Sequence, residues 1–333
     1  MTDGGLLAGL IGLGRTAADR RDVDEEPVVL SNRVDGLVVR VGDIVVKAHA
    51  PDTDRAELGT RLRAAAHPLL SGVLLAPLPI PADADRPGAE ASMIAQVGGR
   101  LATMWPAGEP VSDADPDAAP WTEAGRLLAR LHATPLADLP SAGGSHRLAR
   151  AIARLRSLPP TPAGREAVRA FDTLPPWARK AGGRGGGVVV HGDWHLGQLV
   201  RRPAVADGGA GAWLLIDIDD LGHGDPVWDL ARSAAWYLVG LLPPEDWWRF
   251  LSAYRAAGGC ALPPAGDPWP ALDVPAQALA VQMAALAVVS ADREHRLLDD
   301  LERELVDACR RISLLAPLDR FNKATGIHDA GWS

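Results

Sequence analysis

Cysteine is scarce: Cys260 and Cys309 are the only two in 333 residues. Two thiols cannot make a disulfide framework or a four-cysteine zinc site, so a reducing compartment is expected. Lysine is nearly as rare. Of 34 basic residues only Lys47, Lys180 and Lys323 are lysines; arginine serves wherever a generic positive charge will do, and a lysine in an unusual place calls for its own explanation. There is no long basic run and no nucleic-acid recognition motif, and the formal net charge is -8, so a phosphate backbone is disfavoured as a partner. No uninterrupted apolar run approaches the roughly 20 residues that span a bilayer. The apolar start MTDGGLLAGLIGLGRT has no basic segment ahead of it and reads poorly as a signal peptide. A soluble cytoplasmic protein with neither nucleic acid nor membrane as partner is expected. No P-loop ending Gly-Lys-Ser or Gly-Lys-Thr occurs, and GLIGLG lacks the strand that precedes a dinucleotide turn.

What the chain does have is 47% hydrophobic residues, enough for one large domain or two lobes. Residues 1–25, glycine-rich and then charged, suggest a flexible arm or one short helix. PVVLSN, GLVVRVG and DIVVKAHA are valine-rich runs separated by Asn32–Asp35 and by Gly42-Asp43, a strand-turn-strand-turn-strand pattern. Thr53–Ala66 carries apolar residues at helical spacing, with Asp52 or Thr53 as its cap. ASMIAQVGGRLATMWP suggests a hairpin turning at Gly98-Gly99. That makes up to five strands and one prominent helix, an antiparallel sheet with a helix against it. Pro106–Pro120 is a break rich in Pro, Gly and Asp. Beyond it WTEAGRLLARLHA, HRLARAIARLRSL, GREAVRAFDTL, DPVWDLARSAAWYLVG, PEDWWRFLSAYRAAG, the segment around VPAQALAVQMAALAVVS and ADREHRLLDDLERELVDACRRISLL predict helices. GVVVHGD and AWLLIDID are the two convincing strands there, the first preceded by the loop GGRGGG and the second by DGGAGA. The fold class expected is α+β, with a strand-rich N-terminal lobe over 1–105 and a larger helical C-terminal lobe over 106–333.

Four positions carry chemistry. Asp193 in HGDWHLGQ follows a buried strand where the chain must bend; it either caps a turn, with His191 packed beneath, or orients an attacking hydroxyl and takes its proton. AWLLIDIDD ends in Asp217, Asp219 and Asp220, which are either a polar turn or acids whose mutual repulsion a magnesium ion with oxygen ligands offsets, joined by the amide of Gln198. Lys47 stands mid-strand among valine and alanine. It is either on the sheet's solvent face or paired with an anion, a ligand phosphate or the carboxylate of Glu57. The turn LSNRVDGL, with Ser31, Asn32, Asp35 and Gly36, could present backbone N–H groups to a phosphate or simply suit a hairpin.

At these residues the chain resembles the small-molecule kinases typified by aminoglycoside phosphotransferases and choline kinases, relatives of the protein kinases. Their pattern is His-Gly-Asp, four residues, Asn, then a strand ending Ile-Asp, a Gly-Asp-Pro and a helix opening near Asp-Leu-Ala. Here stand His191-Gly192-Asp193, Ile216-Asp217, Gly224-Asp225-Pro226 and Asp229-Leu230-Ala231, with LLARLHA at the family's usual place. The resemblance covers about residues 27–315 and implies a bilobal protein-kinase-like fold, residues 1–105 forming the nucleotide-binding lobe and 106–333 the catalytic and substrate-binding lobe. It implies that Asp193 positions the acceptor hydroxyl, that Asp217 and Gln198 hold Mg2+, and that Lys47 holds the phosphates of ATP, or of GTP, with Glu57 as its helix partner. Met104–Ala107, with Trp105 between, would be the hinge meeting the base, Ser31 and Asn32 would lie at the phosphates, and Asp229 would hold the catalytic loop from below.

Gln198 stands where the family usually has Asn; His195-Leu196-Gly197-Gln198 is similar to the corresponding segment of maltokinases and glucosamine kinases. The Phe-Glu-Gly-Glu-Pro that follows the metal acid in maltokinases is replaced here by Ile218–His223. The expected reaction moves the γ-phosphate of ATP to a hydroxyl of a small polar molecule, cationic or sugar-like, with an aminoglycoside or amino sugar favoured. A maltokinase- or glucosamine-kinase-like sugar kinase, a choline- or homoserine-type kinase and an inactive nucleotide-binding protein are the alternatives. Acceptor contacts are expected from Asp193, His195, Asp219, Asp220 and Trp247, with Glu245, Asp246 and Asp273 as further acids, in a monomer or homodimer.

Overall fold

The computed structural model describes residues 3–18, 26–33, 36–80, 92–112, 118–179, 187–202 and 211–325. The turn at Val34-Asp35, most of GGRGGG and most of DGGAGA lie outside them. In chain order the first elements are α1 (Asp3–Ala18), β1 (Val28–Arg33), β2 (Gly36–Val41), β3 (Ile44–Ala48), α2 (Arg55–Ala65), β4 (Ala95–Val97), β5 (Arg100–Pro106) and β6 (Glu109–Pro110). Then come α3 (Trp121–His132), α4 (Arg147–Arg156), α5 (Pro162–Thr173), α6 (Pro176–Arg179), β7 (Val188–Val190), β8 (Leu199–Arg202), β9 (Ala212–Leu215) and β10 (Gly222–Gly224). The last four are α7 (Val227–Leu238), α8 (Pro244–Ala256), α9 (Trp269–Arg293) and α10 (Asp300–Thr325).

The chain divides into two compact units, one made of Met1–Pro120, Thr134–Pro140 and Leu196–Leu221, the other of Trp121–Ala133, Ser141–His195 and Gly222–Ser333. The division is not the single cut near residue 105 expected from composition. The β8–β9 hairpin belongs with the first unit because its backbone is bonded there: β8 pairs with β6, and Leu215 exchanges hydrogen bonds with Val73 and Leu75.

In the first unit β1 to β5 form an antiparallel sheet of order β1-β2-β3-β5-β4, with the β4–β5 hairpin turning at Gly98-Gly99 as expected. Period-two alternation gives it two distinct faces. Leu37, Val39, Val41, Ile44, Val46, Ala48, Ala102 and Met104 form one buried face, packed under Leu6 and Leu10 of α1. The opposite face carries Val45, Lys47, Thr103 and Trp105, with Lys47 directly across from Thr103. The first residues are thus a 16-residue helix rather than a loose arm. Leu6 and Leu10 lie one turn apart and bury together, and Gly14 lets the helix close on the sheet, since a Cβ there would stand 2.8 Å from Val41 and 3.1 Å from Val46. GLIGLG is inside this helix.

The helix α2 is capped not by Asp52 or Thr53 but by Asp54, whose carboxylate accepts from Ala56 N at 2.8 Å and Glu57 N at 2.9 Å. Only Asp54 stands immediately before the first helical residue with an extended backbone, the geometry a cap requires. Asp54→Ala is expected to destabilise the protein by about 1 kcal/mol, measured as a shift of the urea midpoint at constant slope.

The second unit is mainly helical. In α3, Trp121, Ala124, Leu127, Leu128 and Leu131 recur at helical spacing and are buried. Gly125 permits the close crossing with α8, because a Cβ there would lie 2.8 Å from the backbone nitrogen of Tyr254. By length and composition α9 could cross a bilayer; in this unit it is the helix against which α4, α5, α7 and α10 pack, which accounts for its apolar surface. The run ADREHRLLDDLERELVDACRRISLL is not one helix. It breaks after Arg293, where His295 takes a left-handed φ of 51°, and restarts behind a reciprocal cap. Glu302 N donates to Asp299 at 2.8 Å while Asp299 N donates to Glu302 at 2.9 Å. Leu297 is in the break and exposed.

Candidate functional site

Two sets of charged side chains stand out, one in each unit. In the first unit Lys47 projects from β3 on the face away from α1. Its ammonium lies 2.7 Å from Asp217 Oδ1 and 2.9 Å from Asp219 Oδ2. Burial works against its charge, but the attraction of Asp217 and then of Asp219, with hydrogen bonds to both, outweighs it and holds the pKa above the ordinary lysine range. Burial likewise opposes the Asp219 carboxylate, and Lys47 followed by His49 overrides it, so Asp219 is held well below the usual carboxylate range. Both residues are therefore charged near neutral pH.

Asp217 has a left-handed backbone, φ 62°, which costs a non-glycine residue about 1–2 kcal/mol and is tolerated most readily by Asp and Asn. Gln198, tied to the same region by Ile216 N donating to its carbonyl at 2.9 Å, places its amide 3.5 Å from Asp217 Oδ2. Rotating that amide by half a turn presents an acceptor oxygen at the same place without changing the space filled. Two carboxylates and an amide oxygen are the hard donors magnesium takes. No cluster of three or more His, Cys, Asp or Glu among the described residues is arranged as a metal cage. Magnesium bound with substrate phosphates needs only one or two protein carboxylates, so the residues present fit it.

His49 and Thr103 belong to this set and were not singled out from the sequence. His49, fully buried, bonds Asp219 Oδ1 through Nδ1 at 2.8 Å and Thr103 through Nε2 at 2.9 Å, and Thr103 accepts from the Trp105 indole at 2.9 Å. A legible signal existed. His49 follows Lys47 by two along the valine-rich run that ends β3, which entitles the two to a common face.

Other expected positions fall elsewhere. Glu57, expected to pair with Lys47, pairs with Arg61 one turn along α2 at 3.2 Å, and the partners of Lys47 are the two aspartates. Ser31 and Asn32 are in β1, opposite Val38 and Leu37, rather than in a turn. At the expected hinge, the Met104 side chain packs into the core under α1 and its carbonyl accepts from Leu78 N. Ala107 N donates to Asp43 O at 2.7 Å and Ala107 O accepts from Arg202 at 2.7 Å, so less of this backbone is open to a base than the resemblance implied. Asp219 serves Lys47 and His49, and Asp220 is buried. Trp247 is fully buried, stacked on Tyr237 and Trp269 at 5.6 and 6.0 Å between centroids. A ring with no exposed surface cannot be a sugar platform; its neighbour Trp248 is the exposed one. His195 is part-buried at the last residue of its segment in the second unit.

In the second unit β7 delivers His191-Gly192-Asp193 into a bend. Asp229, at the start of α7 and almost fully buried, accepts from His191 N at 2.6 Å, Gly192 N at 2.9 Å and His132 Nε2 at 3.0 Å. The loop is thereby held from below. Burial would raise the Asp229 pKa, but the hydrogen bond and attraction of His132, then the contributions of His191, bring it below the ordinary value. Asp193 itself is gripped by two arginines: Arg232 of α7 meets Oδ1 at 2.5 Å and Arg147 of α4 meets Oδ2 at 2.7 Å. Arg147 and Arg232 were not foreseen; nothing in the spacing of α4 distinguishes Arg147 from its arginine neighbours.

A family model described as "Phosphotransferase enzyme family" matches residues 28–271. No curated protein matches the chain in sequence. Solved structures do match in fold. A choline/ethanolamine kinase family protein from Mesorhizobium loti is 16% identical with a TM-score of 0.56, over 93% of this chain and 94% of the other. Choline kinase LicA from Streptococcus pneumoniae is 14% identical, TM-score 0.55, over 91% and 97%. A spectinomycin phosphotransferase, solved with ADP and spectinomycin, is 12% identical, TM-score 0.54, over 92% and 96%. The five-stranded antiparallel sheet and the mainly helical second unit are those of this protein-kinase-like fold.

Proposed function

The chain belongs to the phosphotransferase enzyme family, and from that premise we propose that it moves the γ-phosphate of ATP or GTP to a hydroxyl of a small polar molecule. The observation that carries the reading is Lys47 held between Asp217 and Asp219 at 2.7 and 2.9 Å. A charged lysine fixed by two acids on an otherwise apolar strand is a ready partner for phosphate oxygens, and the excess negative charge around it suits a divalent cation. Asp217 and Gln198 would hold magnesium, which supplies charge compensation to the phosphates when bound.

In the transfer, the acceptor oxygen forms a bond to the γ-phosphorus while the bond from that phosphorus to the bridging oxygen breaks, releasing the nucleoside diphosphate. The hydroxyl proton goes to the Asp193 carboxylate. Positioning and charge compensation supply most of the rate, because little covalent chemistry falls to the protein in phosphoryl transfer. His49 and Thr103 keep Asp219, and through it Lys47, in place. A cytoplasmic setting is part of the same proposal, where the nucleotide is supplied and the free thiols Cys260 and Cys309 stay reduced.

Lys47→Ala is expected to weaken binding of a non-hydrolysable ATP analogue with magnesium about ten- to a hundredfold, the worth of one charge-assisted contact. Titration calorimetry measures this directly. A variant binding as tightly as the wild type would remove Lys47 from the nucleotide site and the reading with it.

The acceptor favoured by the sequence, an aminoglycoside or amino sugar, draws support from the likeness to the spectinomycin enzyme. The acids expected to receive a cation support it less: besides Asp219 and Asp220, Asp246 is paired with Arg249 at 2.9 Å and Asp273 accepts from Gln277 at 3.0 Å.

A further inference from the structure

On α7, Trp228, Arg232 and Trp236 follow one another at four-residue spacing and so form one row along the helix. The first two line a small cavity beside Asp193, together with Leu279 and Gln282 of α9, and Arg232 meets Asp193 Oδ1 at 2.5 Å. Trp236 stands one turn farther along, about 6 Å by helix rise. On α9 the residue one turn beyond Leu279 is Met283, and these two next-turn residues touch. The Trp236 indole N–H donates to Met283 Sδ at 3.0 Å. The layer that follows the cavity is therefore the pair Trp236 and Met283, with Leu286 three residues after Met283. Trp236 is 37% exposed and Leu286 38%. A lone exposed indole is ordinary, but this one is fixed through its N–H between two helices that pack on each other, one turn from the arginine that grips Asp193. All of these residues belong to the second unit.

We infer that Trp236, backed by Met283, is the platform on which the acceptor lies, and that the acceptor is a neutral sugar whose C–H face rests on the indole while one hydroxyl reaches Asp193. The word acceptor rests on the phosphotransferase reading; the aromatic surface does not. With its N–H spent on Met283, the ring has only its π face and edge to offer, and those take apolar C–H groups or a cation. The rest of the surface decides between the two. Trp228, Arg232, Leu279, Met283 and Leu286 include no carboxylate, so an ammonium seated on the ring would find no counter-charge among them. A sugar needs none: its C–H face leaves water against the indole and the thioether, and its hydroxyls stay solvated at the rim. A ring already held in place costs little to order when the ligand arrives. The role expected of Trp247 thus falls to Trp236.

The test is calorimetric titration of the full-length protein, with and without a non-hydrolysable ATP analogue and magnesium, using glucose, maltose and trehalose as neutral probes and glucosamine and choline as cationic ones. At least one neutral sugar is expected to bind at millimolar concentration, and more tightly than either cation. Trp236→Ala should weaken that sugar about tenfold, the worth of one aromatic contact. Trp236→Phe, which keeps a flat face without the N–H, should retain most of the affinity, and Trp248→Ala should leave it unchanged. A thermal melt shows which variants are folded; Trp236→Leu, apolar but without a flat face, takes the place of Trp236→Ala if the latter unfolds. Tighter binding of either cation overturns the inference, as does no sugar binding, an affinity that survives in Trp236→Ala or Trp236→Leu, or an equal loss in Trp248→Ala. Sugar binding that depends on Trp236 in a protein that takes no nucleotide would end the proposed reaction and leave the platform standing; nucleotide binding without sugar binding would do the reverse.

Discussion

Asp193→Asn is expected to lower kcat about a hundred- to ten-thousandfold, the range for losing a positioned proton acceptor, while nucleotide affinity stays as in the wild type. Asparagine keeps the shape of aspartate but has neither the charge nor the second acceptor oxygen, so it cannot take the hydroxyl proton and can satisfy only one of the two guanidiniums now at 2.5 and 2.7 Å. Arg147 and Arg232 then lose the carboxylate they share. Because both are partly exposed, water compensates much of that loss and the expected destabilisation is about 1–2 kcal/mol, less than for a fully buried pair broken on one side. Steady-state kinetics with whichever acceptor the wild type phosphorylates, together with a thermal melt, separates the two effects. A kcat within tenfold of wild type in a folded variant would mean that Asp193 is not the base.

Asp229→Ala should be the most destabilising single substitution in the second unit, by about 3–5 kcal/mol. The carboxylate is almost fully buried and serves three donors, His191 N, Gly192 N and His132 Nε2. Truncation leaves all three donors buried without their acceptor. Asp229→Asn retains one acceptor oxygen and is expected to fall between the two. The pH dependence has a definite sign. The folded pKa of Asp229 lies below its unfolded value, so the folded state prefers the charged form. Its contribution is fully present above the unfolded carboxylate pKa of about 3.9 and is lost as pH falls through the folded pKa. Urea unfolding of wild type and Asp229→Ala from pH 7 down to about pH 3 should therefore show their stability difference shrinking in acid. A difference independent of pH would place the stabilisation in packing rather than in the carboxylate.

The two substitutions act at different points of one short segment. Asp229 fixes the backbone of His191 and Gly192, and that backbone sets where Asp193 stands. A loosened loop would thus lower turnover without any change at the reacting atoms, and the cooler, neutral conditions under which Asp229→Asn stays folded are where its kcat should be compared with that of Asp193→Asn.

The sequence by itself determined the elements whose causes are local. Valine runs at period two with Gly42 and Gly98-Gly99 between them specify the antiparallel strands of the sheet, and apolar spacing specifies α3, α4, α5, α7 and α8. The residue types at Lys47, Asp193, Asp217 and Gln198 were legible because a mid-strand lysine and acids at strand ends are costly unless they have partners or ligands. Even the restart of α10 was written there, in Asp299 and Glu302 three apart. Partnership was not. Whether Lys47 meets Glu57 or the two aspartates depends on bringing residues 170 positions apart together, and no propensity encodes a contact at that separation. The same holds for Arg147 and Arg232, which are ordinary helix arginines until α4 and α7 bring them onto one carboxylate, and for Trp247, whose burial is decided by the cluster it forms with Tyr237 and Trp269. Local chemistry chose the groups; tertiary packing chose their partners, because Coulomb and hydrogen-bond energies fall away over a few ångströms and are set by where the chain finally lies.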